Sequence, residues 1–73
     1  MLHYTNHAND RMKERGISKI EVETCLEHYQ TSYPSAGNSD CMNYVLITVT
    51  GKKIRVVVNE KNPKHRIIVS VMG

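Results

Sequence analysis

The sequence contains no tryptophan and no phenylalanine, so the core of this 73-residue chain must be built mainly from aliphatic side chains. It has only two cysteines, Cys25 and Cys41, which lie in different predicted elements and are too few for a disulfide framework. We therefore expect free thiols in a reducing compartment. No run of about 18 apolar residues is available to span a bilayer, and no charged-then-apolar segment resembles a secretion signal. These absences predict a cytoplasmic protein without a membrane span.

Acidic residues are outnumbered by basic ones. Ten lysines and arginines against seven aspartates and glutamates give a formal net charge of +3 and an isoelectric point near 9.0. This balance favours a polyanionic partner, either a nucleic acid or an acidic protein. The length predicts one domain, residues 1–73, close to the lower limit for an independent core, so a homodimer is an alternative source of stability.

Local signals predict two helices after a short strand at Leu2-His3-Tyr4. Thr5 is suited to cap a first helix that runs to about Arg15, where Gly16 supplies a left-handed exit. Ser18 and Glu21 then form a capping box for a second helix that ends near His28. Its predicted buried side consists of Ile20, Val22, Cys25 and Leu26.

The second half of the chain predicts strands. Residues 30–41 are rich in turn formers and predict a loop. Three segments dense in valine, isoleucine and threonine follow, at about 42–50, 53–59 and 66–72. The predicted fold is α+β: a short N-terminal strand, two helices, and a three-stranded antiparallel sheet with the helix pair packed on one face.

A two-residue hairpin turn at Gly51-Lys52 predicts the register, because glycine in its first position fits a type II′ turn. Thr50 then pairs with Lys53. The face toward the helices is predicted to carry Val45, Ile47, Val49, Ile54, Val56 and Val58, joined by Ile67, Val69 and Val71. The opposite face receives Tyr44, Arg55 and Arg66, a combination suited to single-stranded RNA.

The first helix carries the most specific chemistry. His7, Arg11 and Arg15 are spaced four residues apart, so each lies about 40° further round the same side of the helix. Guanidinium groups can bind phosphate oxygens and an imidazole can transfer a proton. The alternative is structural, with the arginines paired to Asp10, Glu14 or acids of the second helix.

The same segment supports a resemblance to a known family. It contains His7-Ala8, Arg11-Met12 and Arg15-Gly16-Ile17-Ser18, followed by Glu21-Val22 and Leu26. This pattern resembles the HAxxRMxxRGIS signature of a family of small bacterial and phage domains of unknown function. The likeness continues through the hairpin at 51–57 to the strand at 69–71, and so covers most of the chain.

That family in turn resembles the RelE/ParE/BrnT group of toxins in its order of elements. The resemblance implies a RelE/ParE-like sheet with the helix pair on one side. It also implies metal-independent cleavage of RNA by the toxin of a toxin–antitoxin pair, although ParE-like relatives act on a topoisomerase. Two alternatives stay open: a non-catalytic nucleic-acid-binding module, and an inhibitor of a protein target on the same scaffold.

Cleavage of RNA by its own 2′-hydroxyl needs a base, an acid and cations for the developing charge. The candidate catalytic residues are His7, Arg11, Arg15 and Arg55, with His3 or His65 as a second proton-transfer group. The candidate nucleic-acid-binding residues are Tyr44, Lys64, His65 and Arg66. The expected partners are RNA, an antitoxin protein and, as an alternative, a second copy of the chain.

Metal binding is the weaker interpretation of the remaining histidines and cysteines. His3 with His7 and Cys25 with His28 could imitate a zinc set. However, His3 lies in a predicted strand, and the helix of the second pair has its own amphipathic explanation. We expect no metal and no cofactor.

Overall fold

The chain folds into two helices and a five-stranded sheet in the computed structural model, which describes residues 2–73. The elements in chain order are β1 (Leu2–Tyr4), α1 (Asn6–Arg15), α2 (Lys19–His28), β2 (Thr31–Ser35), β3 (Asn38–Ile47), β4 (Lys53–Asn59) and β5 (Arg66–Met72). The α+β class is confirmed. Neither helix in this part of the chain is long and apolar enough to cross a membrane.

The sheet has the strand order β1-β5-β4-β3-β2, and it is mixed. β1 pairs in parallel with β5, whereas all other neighbours are antiparallel. The prediction of a three-stranded antiparallel sheet is therefore wrong. The predicted loop 30–41 instead contains β2 and the beginning of β3, joined through Ala36 and Gly37. β2 is an edge strand with mostly exposed side chains, so its sequence shows no apolar alternation.

The helix caps agree with the sequence signals. The Ala8 N–H donates to the Thr5 hydroxyl, and Gly16 adopts a φ of 65° at the end of α1. Ser18 and Glu21 form both hydrogen bonds of the capping box. Ile20, however, is exposed rather than buried. It lies two residues before the buried Val22, about 200° away around the helix, so both cannot face the sheet.

The register between β3 and β4 differs from the prediction by three residues. Ile47, rather than Thr50, pairs with Lys53, and a five-residue loop, 48–52, replaces the two-residue turn. In this loop the Thr48 N–H donates to the Lys52 carbonyl, and Gly51 has a φ of 85°. An odd shift moves every β3 side chain to the other face. Tyr44 and Leu46 therefore face the helices, and Val45 and Ile47 face away.

A bulge changes the facing of β5 as well. Val57 pairs with Ser70 but Val58 pairs with Ile68, which leaves Val69 as the extra residue. Ile68 is consequently buried in place of the predicted Ile67 and Val69, whereas Val71 is buried as predicted. The core under the helices consists of Ala8, Met12, Ile17, Val22, Cys25, Tyr44, Ile54, Val56, Val58, Ile68 and Val71.

Candidate functional site

A groove of about 580 Å³ lies on the open face, which is the side of the sheet opposite the helices. β2, β3, β4 and the end of β5 form it, and the last residue of α1 reaches its rim. We call it the open-face groove. Its basic side chains are Arg15, Lys53 and Arg55, and no aspartate or glutamate side chain lines it. Three uncompensated cations around one concave surface attract an anion.

Arg55 is the central cation of the open-face groove. It is half-buried, and its Nη1 donates to the Tyr33 hydroxyl at 3.3 Å. Its Nη2 contacts the Met72 sulfur at 2.6 Å. Both partners are neutral, and no carboxylate within residues 2–73 forms an ion pair with this guanidinium. A partly desolvated charge held in place without a counter-ion is suited to an anionic ligand.

The junction between the two helices brings Arg15 to the groove. A Cβ placed on Gly73 would lie 3.8 Å from the Arg15 Cβ, so the end of α1 adjoins the end of β5. Lys52 fixes this junction: its Nζ donates to the Gly16 carbonyl at 2.8 Å and to the Glu21 carboxylate at 3.2 Å. The Ser18 backbone N–H, followed by Lys52, holds the pKa of Glu21 below its usual range.

The three α1 residues that the sequence placed on one side of the helix, His7, Arg11 and Arg15, do not share one site. His7 and Arg11 do not line the open-face groove, and Arg11 Nη1 pairs with the Glu14 carboxylate at 3.1 Å on the surface. His7 and Arg15 are eight residues apart, which separates them by about 12 Å along the axis and 80° around it. The structure therefore brings together Arg15 and Arg55, but not His7 or Arg11.

Tyr44 and Arg66 lie on the helix side of the sheet, contrary to the predicted surface shared with Arg55. The three-residue shift of β3 moves Tyr44, and the bulge on the β4–β5 ladder moves Arg66. There the Tyr44 hydroxyl donates to Glu60 at 2.7 Å, and Arg66 Nη2 pairs with the same carboxylate at 2.9 Å. The Arg66 guanidinium carbon is also 5.8 Å from the centre of the Tyr44 ring. We call these three residues the Glu60 cluster.

Burial and the neighbouring carboxylate change the chemistry of the Glu60 cluster. Burial, then the hydrogen bond to Glu60 and its charge, raise the pKa of Tyr44 to about 12. A smaller cavity of about 360 Å³ adjoins Arg66 and is lined by Leu2, Leu26 and two glutamates, Glu23 and Glu27. The cation of this cavity, Arg66, is therefore accompanied by carboxylates, whereas the cations of the open-face groove are not.

Lys64 and His65 are exposed in the loop between β4 and β5. The loop is closed locally, since the Lys64 N–H donates to the Asn62 side chain and the His65 N–H to the Asn62 carbonyl. It follows the far end of β4, five residues or about 17 Å from Arg55. Lys64 and His65 therefore do not contribute to the open-face groove. His3, on β1, does not line it either.

Sequence reasoning missed four polar residues of the groove: Gln30, Thr31, Tyr33 and Lys53. Gln30 immediately precedes β2, and Thr31 and Tyr33 lie on it, in the segment predicted as a loop. Lys53 could have been found, because it is two residues from Arg55 on the same strand and therefore shares its face. The contribution of Tyr33 depends on the pairing of β2 with β3, which no local pattern reveals.

Cys25 and Cys41 are free and buried. Burial of Cys25 was predicted, whereas Cys41, which lies in the predicted loop, is a buried residue of β3. The Cys25 thiol donates to the Tyr44 carbonyl at 3.5 Å, and burial raises its pKa to about 11. A thiol protonated at neutral pH is unreactive, so Cys25 has a packing role. Within residues 2–73 no three His, Cys, Asp or Glu side chains converge to hold a metal ion.

A family model described as a domain of unknown function, DUF4258, matches residues 4–73. The chain belongs to this family. The prediction of a small family of unknown function is thereby confirmed, and the matched region contains the whole open-face groove. No curated protein and no solved structure matches the chain significantly. Membership in DUF4258 defines the domain but assigns no chemistry to it.

Proposed function

We propose that the open-face groove binds the phosphate backbone of a nucleic acid, with RNA as the expected ligand. The observation that carries the proposal is the environment of Arg55, a half-buried guanidinium whose partners, Tyr33 and Met72, are both neutral. Arg15 and Lys53 extend the positive charge along the same groove. Each guanidinium group can bind two oxygens of one phosphate at once. A row of cations along a groove therefore suits the successive phosphates of a nucleic acid better than a single carboxylate.

Replacing the three groove cations tests this proposal. For three phosphate contacts with a single strand, a plot of log affinity against log salt concentration should have a slope of roughly −2. The variant with Arg15→Gln, Lys53→Gln and Arg55→Gln removes these contacts, so its plot should be nearly flat. The measurement is fluorescence anisotropy of an end-labelled oligouridylate across a salt series.

The matched control is Lys13→Gln, an exposed cation in the last turn of α1 that does not line the groove. Its effect should be small and non-specific. Equal losses for Lys13→Gln and for each single groove variant would contradict a localised site. Unchanged affinity in the triple variant would reject the proposal outright.

A second candidate function, metal-independent endoribonuclease, has one observation in its favour. The Tyr33 hydroxyl, a group that can exchange a proton, lies in the groove within hydrogen-bonding distance of Arg55. The order of strand, two helices and antiparallel strands is also compatible with a RelE/ParE/BrnT-like toxin. The catalytic role expected of His7 and Arg11 has no support from the groove. A nuclease on this scaffold would use Tyr33, Arg55 and Arg15 instead.

Cleavage and toxicity separate the two candidates. A nuclease would produce cyclic phosphate ends in the presence of EDTA, and Tyr33→Phe would stop cleavage while RNA remained bound. As a toxin it would also arrest growth on expression in the cytoplasm, and Arg55→Gln, but not Lys13→Gln, would relieve the arrest. If RNA stays intact at high protein concentration but still binds, the nuclease candidate is rejected and only the binding function remains.

An inhibitor of a protein target remains the third proposal on this scaffold. It predicts recovery of one stoichiometric protein from a pull-down that nuclease treatment of the extract does not alter. An antitoxin partner would be recovered in the same way, and a homodimer would appear as a doubled mass in light scattering. Resistance to nuclease treatment distinguishes these outcomes from nucleic-acid binding, because the groove cations attract an acidic protein surface as well.

A further inference from the structure

The open-face groove is amphipathic, and cations alone do not explain it. Its other half is formed by the Tyr33 ring, Val45, Ile47 and the Met72 side chain. Tyr33 remains 39% exposed and Ile47 50% exposed. Phosphate binding requires no aromatic or aliphatic surface, so this half must contact a different part of the ligand.

The sheet register fixes how the two halves meet. Val45 pairs directly with Arg55, and Arg55 pairs with Met72, so one row across three strands runs from apolar to cationic to apolar. Tyr33 lies one row further along, opposite Asn43. Its hydroxyl, bound to Arg55 Nη1 at 3.3 Å, holds the ring beside this row. The only close ring pair of the described chain is Tyr29 with Tyr44, so the Tyr33 ring is not stacked on another aromatic side chain.

On the basis of the proposed function, we infer that the open-face groove binds a single-stranded segment, with an unpaired base on Tyr33 and its phosphates on Arg15, Lys53 and Arg55. Every base has a π-face that an aromatic side chain can stack on, whereas in a duplex those faces are covered by neighbouring base pairs. The groove volume of about 580 Å³ lies in the range of small-ligand sites, so it accommodates about one or two nucleotides.

Four labelled probes test the inference on the 73-residue chain. They are an oligouridylate, the corresponding oligodeoxythymidylate, the oligouridylate annealed to oligoadenylate, and inorganic polyphosphate, which has charge but no bases. We expect the single strands to bind more tightly than the duplex and the polyphosphate at equal salt. A preference between the ribose and deoxyribose strands would assign the source of the strand to RNA or DNA.

Two substitutions of Tyr33 isolate its ring. Tyr33→Leu and Tyr33→Phe both lose the hydroxyl that contacts Arg55, so the comparison between them isolates the ring. Tyr33→Leu should bind the single strands roughly 5- to 150-fold more weakly than Tyr33→Phe, the range for losing one stacked base. The two variants should bind polyphosphate equally, which also shows that Tyr33→Leu is folded.

The outcomes distinguish this inference from the proposed function. If duplex, polyphosphate and single strand bind equally and the triple cation variant loses all three, the groove binds phosphate but the inference is wrong. Equal single-strand affinity of Tyr33→Leu and the unmodified protein also overturns it. If none of the four probes binds, the proposed function itself fails.

Discussion

Arg55 and Arg66 are on neighbouring strands of one sheet, yet their surroundings are opposite. Arg66 faces the helix side, where Glu60 neutralises its charge and the Tyr44 ring lies beneath it. Arg55 faces the open side, where Tyr33 and Met72 position the guanidinium without neutralising it. Each arginine contacts a tyrosine and one other side chain. That other side chain is the Glu60 carboxylate for Arg66 and the neutral Met72 thioether for Arg55.

This difference separates stabilising from ligand-binding arginines. A partly buried cation costs free energy unless a carboxylate or an external anion compensates it. Glu60 meets that need for Arg66 within the chain, whereas Arg55 has no such partner. We therefore expect substitutions on the helix side to change stability, and substitutions on the open face to change affinity.

The largest effect should separate two consecutive residues of β4. Ile54 is fully buried under the helices, and Ile54→Ala should lower the free energy of unfolding by about 2–5 kcal/mol. Arg55→Gln, on the opposite face, should change it by less than about 0.5 kcal/mol. Urea denaturation followed by circular dichroism measures both. Comparable losses from the two substitutions would mean that Arg55 also stabilises the fold.

A smaller effect is expected at alkaline pH from the Glu60 cluster. Tyr44 has a pKa of about 12 in the folded protein against 10.0 for an ordinary tyrosine. Below pH 10 the phenol is neutral in both states and its contribution is constant. Between pH 10 and 12 it ionises first in the unfolded chain, so stability should fall by about 2 kcal/mol.

Tyr44→Phe is the matched variant for this pH dependence. It loses the hydrogen bond to Glu60, so it starts from a lower stability, but its fall between pH 10 and 12 should be shallower. The measurement is the urea midpoint across the alkaline range. Parallel curves for the variant and the unmodified protein would remove Tyr44 as the cause.

Local chemistry was readable from the sequence, and long-range pairing was not. The Thr5 cap, the Gly16 exit and the Ser18–Glu21 box each depend on residues within one turn of chain. The β3–β4 register depends instead on how many residues the connecting loop contains. The segment Thr50-Gly51-Lys52 is compatible with a two-residue loop and with a five-residue loop. The two loops differ by three residues, and this odd number turns every β3 side chain to the opposite face.

The candidate site was half predictable for the same reason. Arg15 and Arg55 were selected by residue type and position, and both line the groove. Tyr44 and Arg66 were placed beside Arg55 because strict alternation was assumed, and a register shift and a bulge each broke that assumption. Tyr33 was missed because a polar edge strand is stabilised by backbone pairing that leaves no apolar pattern.

The smallest effect compares the two arginines directly. Arg66→Gln removes the 2.9 Å ion pair between Arg66 and Glu60. Both side chains of this pair are about one-third exposed, so its loss should lower the free energy of unfolding by about 1 kcal/mol. Arg11→Gln, which breaks the more exposed pair with Glu14, is the matched control and should cost about half as much or less. Neither change should alter oligouridylate affinity beyond the loss of one distant charge, because both side chains lie outside the open-face groove. A loss of affinity in Arg66→Gln as large as in Arg55→Gln would show that the ligand crosses the sheet edge, and the two faces would then form one continuous surface.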